Sequence, residues 1–208
     1  MHRSETGRKG EEAFFQVLGS NDMWKELKKH MYPGKKSCTW EQYENGDIAA
    51  SNGYLSLMIG RELRYTSLSM DWAAENGDLE VIKFLCKNTK AHTAFALGIA
   101  ASRGHLRVLK WLHKNKAGGN IEYAVPRACI HGKLEVVKYL HNANTGGFTK
   151  FSMYNAAARG HLDVVKFLHE NRKEGCNNGA LRVAMRNGHT QVARWLHKNR
   201  IEFRDQRL

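Results

Sequence analysis

Four of the chain's 11 histidines, His113, His141, His169 and His197, recur at intervals of 28 residues. Imidazoles set out in this way are the first candidates for chemistry, because the neutral ring ligates metals and the titrating ring moves protons. No cysteine or carboxylate completes a tetrahedral ligand set around them at the usual spacing, so no metal is expected. A second column, Phe84, Trp111, Tyr139, Phe167 and Trp195, carries a cation immediately before each ring: Lys83, Lys110, Lys138, Lys166 and Arg194. Rings beside cations can stack bases and hold phosphates. Aromatics at a repeat spacing also serve as core, and no nucleic-acid-binding motif accompanies them. Cys129 and His131 stand two apart, a spacing that does not bring side chains together on a helix. The chain has no nucleophile elbow, P-loop, G-x-G-x-x-G or H-E-x-x-H. Catalysis is therefore not expected, and no cofactor is implied.

What must position these columns is an internal repeat. Ala-Ala-Glu-Asn-Gly-Asp-Leu-Glu-Val-Ile-Lys-Phe-Leu at 73–85 recurs in altered form at 100–112, 128–140, 156–168 and 184–196, and an eroded copy occupies 49–59. The central glycines, Gly53, Gly77, Gly104, Gly132, Gly160 and Gly188, are spaced by 24, 27, 28, 28 and 28 residues. Each unit reads as two helices joined at the glycine. Four residues before it stands Ala49, Ala73, Ala100, Ala128, Ala156 or Ala184, small enough for close helix packing. The glycine supplies the left-handed conformation that ends the first helix. In the second helix Glu80, Glu135 and Asp163 occupy the first turn, where the helix dipole favours negative charge. Its apolar stripe is expected two, five and eight residues after the glycine, as in Leu162, Val165 and Leu168. That spacing is helical rather than strand-like. The fold class expected is all-α, an α-solenoid of about six stacked units, each burying its apolar face on its neighbours.

The totals agree with this. Of 208 residues 42% are hydrophobic, sufficient for a core, and only 2 are proline. A formal charge of +13 favours anionic partners such as nucleic acid or acidic proteins. The 4 cysteines contain no C-x-x-C and point to free thiols in a reducing compartment. No apolar run is long enough to span a membrane, and the N-terminus shows no apolar signal core. A cytoplasmic or nuclear protein is expected, with secretion after removal of a signal peptide the other reading. Residues 1–45 read as a basic N-terminal arm with capping helices within 11–31, and 46–208 as the solenoid with its C-terminal cap. Residues 11–47 are readable either as a worn repeat or as a separate element. The loose cluster Lys25, Lys28, Lys29, Lys35 and Lys36 reads as a solvated face rather than a nuclear address.

Gly160-His161-Leu162-Asp163-Val164-Val165-Lys166-Phe167-Leu168 closely resembles the second half of the ankyrin repeat, and the resemblance extends over 46–199. The usual period is about 33, and the T-P-L-H opening is replaced here by Phe95-Ala96-Leu97-Gly98 and Tyr123-Ala124-Val125-Pro126. The chain is thus similar to a short-loop subtype common in unicellular eukaryotes and large DNA viruses, with fingers shortened to tight turns. The resemblance implies that His105, His161 and His189, directly after the glycine, are structural. It also implies that the two residues before each glycine end the inner helix and face a concave binding groove. Here these are Ser51 and Asn52, Glu75 and Asn76, Ser102 and Arg103, Ile130 and His131, Ala158 and Arg159, and Arg186 and Asn187. They differ between units while the frame repeats. Their arginines favour an acidic patch on a protein partner, with Ile130 as an apolar anchor. The function implied is a monomeric scaffold, adaptor or inhibitor that binds another protein. Nucleic-acid binding through the basic surface is the alternative, and a parasite or viral effector that grips a host protein is a third reading.

Overall fold

A computed structural model describes residues 46–53, 55–59, 63–90, 93–173 and 179–199. Among these residues the helices form six successive pairs: α1 (Gly46–Ser51) with α2 (Leu55–Met58), α3 (Ser67–Asn76) with α4 (Leu79–Asn88), α5 (Ala96–Arg103) with α6 (Leu106–Lys114), α7 (Ala124–Ile130) with α8 (Leu134–Asn142), α9 (Lys150–Ala158) with α10 (Leu162–Asn171), and α11 (Gly179–Arg186) with α12 (Thr190–Lys198). The expected all-helical solenoid is the observed architecture. The capping helices expected within 11–31 and the tail after Arg200 lie outside the described residues.

The joint within each pair follows from glycine's conformational freedom. Gly77 and Gly104 adopt φ of 80° and 84°, cap α3 and α5, and donate their N–H groups back into the last turn. The outer helix starts two residues later. Threonine starts two of the inner helices: Thr66 caps α3, and Thr149 caps α9 in a reciprocal box with Ser152.

The alanine four residues before each glycine is fully buried in all six pairs. With so little side chain between them, the inner helices lie closer to one another than the outer helices do. A stack that is tighter on one side bends toward that side, so the inner helices line the concave face. The outer helices bury a slightly different stripe from the one expected. In α4, α6, α8 and α10 the residues four, five and eight after the glycine are buried, as in Val164, Val165 and Leu168, whereas Leu162, two after it, is half-buried. Leu162 begins its helix, where the stack covers one side only.

Two of the shortened fingers are Gly-Gly turns. Gly118-Gly119 and Gly146-Gly147 lie one period apart, all four with positive φ. The carbonyl of Gly118 accepts from the Leu97 N–H of the preceding pair at 3.0 Å. These turns place Tyr123 and Phe151 at the start of α7 and α9.

Candidate binding face

The concave face is built from the side of each inner helix that no neighbour covers. Residues nine, five, two and one before the glycine fall on that side, three to four apart as one helical face requires. Of the residues expected there, Glu75, Asn76, Arg103, His131, Arg159, Arg186 and Asn187 are exposed. Ser102, Ile130 and Ala158 are half-buried.

Several of these side chains also hold the stack together. Arg103 forms an ion pair with Glu75 across one period. Asn76 donates to the Ser51 carbonyl, and Asn187 donates to that of Ala158 at 2.8 Å. The Ser102 hydroxyl donates to Ile99 within its own helix at 2.8 Å. The Ile130 carbonyl accepts from His161 of the next pair at 2.9 Å. With its side chain half-covered, Ile130 offers a smaller apolar contact than an exposed anchor would.

The electrostatics of the face are read most directly from His131. Partial burial comes first, then the charges of Arg127, Lys133, Arg103 and Arg159, and together they hold its imidazole below the usual histidine range. His131 therefore sits in the positive field of four cations. Arg159 has no carboxylate partner among the described residues. Toward the C-terminal end, Tyr154, Arg182, Val183, Met185 and Arg186 line a shallow depression of about 450 Å³.

The residues that invited chemistry are placed elsewhere. The histidine ladder packs against the aromatic column one pair further on. His113 Nδ1 lies 2.9 Å from the Tyr139 hydroxyl. His141 meets Phe167 edge-on at 5.5 Å, and His169 meets Trp195 edge-on at 5.1 Å. Among the described residues no group of three His, Cys, Asp or Glu is placed to hold a metal ion. The aromatic column itself is half-buried against the core. Cys129 is fully buried and His131 is exposed, so the two do not form a pair. Burial pushes the Cys129 thiol up to about 12, far from a reactive thiolate.

The histidines directly after the glycine are structural, as the resemblance implies. Each ring covers the glycine of the preceding pair and bonds the carbonyl two residues before it. His105 Nε2 reaches Glu75 O at 2.8 Å, and His189 Nε2 reaches Ala158 O at 3.1 Å. At the corresponding place over Gly104 stands Lys133, whose chain crosses without such a bond. Lys133→His is accordingly expected to stabilise the stack by about 0.5–1.5 kcal/mol, the net value of one intramolecular hydrogen bond. Urea unfolding followed by circular dichroism measures this, and an unchanged or lowered midpoint would count against the bridge.

One column on this face was not anticipated. Leu68, Phe95, Tyr123 and Phe151 each stand nine residues before the glycine, and they are 52%, 68%, 67% and 55% exposed. Their 27- and 28-residue spacing is visible in the sequence, but nothing in it distinguishes this column from the covered one at Phe84.

No curated protein matches the chain. A family model for ankyrin repeats (3 copies) matches residues 125–207, and one for ankyrin repeats (many copies) matches 70–113 and 97–141. With the paired helices, the glycine joints and the interlocking histidines, these matches show that the chain belongs to the ankyrin-repeat family.

Proposed function

We propose that this protein is a non-catalytic interaction module, a scaffold, adaptor or inhibitor, whose concave face grips an acidic surface of a partner protein. Ankyrin repeats generally bind other proteins, and the family is typically non-catalytic. The observation that carries the finer reading is the exposure of Arg103, Arg127 and Arg159 on or at the ends of successive inner helices, with the positive field felt at His131 in support. A patch of one sign steers a partner of the opposite sign and sets its register. The binding unit is 46–208, a monomer, with 1–45 as a basic arm. The cysteines Cys86 and Cys129 are free thiols, which supports a reducing compartment, cytoplasm or nucleus. No helix among the described residues is long and apolar enough to cross a membrane.

The outer-helix cations are partly committed within the fold, whereas on the inner face Arg127 and Arg159 have no carboxylate partner among the described residues, which favours that face over nucleic-acid binding. Lys138 pairs with Glu135 at 2.8 Å, and Lys110 lies over the Tyr139 ring at 5.4 Å. The test is a pull-down from lysate, with and without nuclease, using the wild type and Arg103→Glu/Arg159→Glu. Reversing two cations in the groove is expected to weaken a retained protein partner by at least about tenfold, mainly through its association rate. Arg103→Glu gives up the Arg103–Glu75 ion pair, but exposed pairs are worth only about 0–1 kcal/mol, so the variant is expected to remain folded, which circular dichroism checks. Recovery that vanishes with nuclease and ignores the mutations would replace this reading with nucleic-acid binding.

A further inference from the structure

Exposed apolar side chains are unevenly distributed over this molecule. Of the large hydrophobics that are exposed among the described residues, Leu68, Trp72, Phe95, Tyr123, Phe151 and Met185 lie on inner helices or immediately before their first residues, and only Ile59 lies elsewhere. Single exposed hydrophobics need no explanation, but a contiguous apolar patch rimmed by polar groups marks an interaction site. Here four recur at one register position in successive repeats. At the far ends of these inner helices, one residue before the glycine, Arg103 and Arg159 carry positive charge on either side of His131. The concave face therefore carries two parallel stripes along the stack, apolar at the helix starts and cationic at the helix ends.

The dimensions limit what can cover both. Eight residues of inner helix separate the stripes, about 12 Å at 1.5 Å per residue, and an α-helix with its side chains is about 10–12 Å across. Neighbouring inner helices pack about 8–10 Å apart, a distance a helix lying along the stack covers in about 5–7 residues. An occupant with an apolar residue about every one and a half to two turns on one edge would meet Leu68, Phe95, Tyr123 and Phe151 in turn. It needs roughly 16–20 residues to do so.

From this match of spacing and charge, we infer that the groove receives an acidic amphipathic α-helix of a partner protein, apolar edge on the Leu68–Phe95–Tyr123–Phe151 column and carboxylates on Arg103, Arg127 and Arg159. This rests on the concave-face reading above and adds the partner's shape and second edge. Groove binding by an amphipathic helix draws affinity from its apolar anchors, and its acidic edge fixes its orientation.

Two fluorescein-labelled peptides of about 20 residues test this, identical in their content of Leu, Glu and Ala. One has leucines along one helical edge and glutamates along the other, and the second is scrambled. Fluorescence anisotropy measures each against the full chain, Phe95→Ser/Tyr123→Ser/Phe151→Ser and Arg103→Glu/Arg159→Glu, with circular dichroism to confirm folding. The ordered peptide is expected to bind wild type at least tenfold more tightly than the scrambled one, and to lose at least tenfold in either variant. Phe95→Leu/Tyr123→Leu/Phe151→Leu, which keeps the column apolar, is expected to retain binding within a few-fold. Equal binding of both peptides, lost only in the arginine variant, would overturn the amphipathic-helix inference and leave an acidic-partner groove standing. Binding of neither peptide, or binding that ignores the arginine variant, would overturn the inference, and the second result would overturn the groove reading with it.

Discussion

Leu112→Ala is expected to lower the free energy of unfolding by about 2–5 kcal/mol, the range for removing a buried leucine without collapse of the space left behind. Leu112 is fully buried in α6 and lies under the finger turn, where its methyl groups would meet a Cβ at Gly118 at 3.2–3.3 Å. Its carbonyl also accepts from the Ala117 N–H at 3.0 Å, so the surrounding backbone cannot easily close in. In a solenoid each repeat is stabilised by its neighbours, and a cavity here loosens contacts on both sides. The control is Leu196→Ala, the same register position in the last described repeat. Leu196 is 9% exposed, and it should cost less than half as much. Urea unfolding of both variants, followed by circular dichroism, decides the matter. Equal losses would mean that the position in the stack does not set the cost.

Gly119→Ala is expected to cost about 2–4 kcal/mol, combining the strain of a non-glycine residue at positive φ with a steric conflict. Gly119 has φ of 102°, and a Cβ there would come within 2.0 Å of the Ala94 carbonyl oxygen of the preceding repeat. That contact involves backbone on both sides, so no side chain can rotate away. Gly147 meets the Glu122 carbonyl in the same way one period later. The short finger works only because two backbones pass at a distance that excludes a methyl group. Gly98→Ala provides the contrast. Gly98 sits inside α5 without positive φ, and the nearest atom to a Cβ there is Arg127 Cγ at 3.7 Å. It should stabilise the protein by about 0.5–1 kcal/mol through helix propensity. A thermal melt in which the two substitutions shift Tm in the same direction would contradict this account. Because the turn sets the approach to Tyr123, Gly119→Ala should also weaken binding of the ordered peptide.

Much of this was readable before any coordinates. A glycine every 28 residues, with alanine four before it and valine and leucine after it, admits few packings, because short helices with one apolar side must stack. The structural role of His161 followed from the resemblance. The bond it makes, to a carbonyl 31 residues earlier, did not, since it depends on how one repeat sits over the next. The stripe on the outer helices was misplaced by two residues at Leu162, because periodicity gives a helical face without saying how far a neighbour extends over its first turn.

The candidate site divides in the same way. Arg103, His131 and Arg159 stand out because they vary inside a repeating frame, and the resemblance implies their place on the groove. The pairing of Arg103 with Glu75 and the field on His131 are properties of the stacked array. The clearest case is the two aromatic columns. Phe84, Trp111, Tyr139, Phe167 and Trp195 are chemically the same kind of residue as Phe95, Tyr123 and Phe151, and both columns recur with the repeat. By itself the sequence determined that rings would line up in rows, that cations would accompany them and that helices would carry both. Only the tertiary structure decided which row is covered and which faces outward. Burial is set by the neighbouring repeat, and the inner helices pack closely enough to hide their alanines while leaving Leu68, Phe95, Tyr123 and Phe151 exposed.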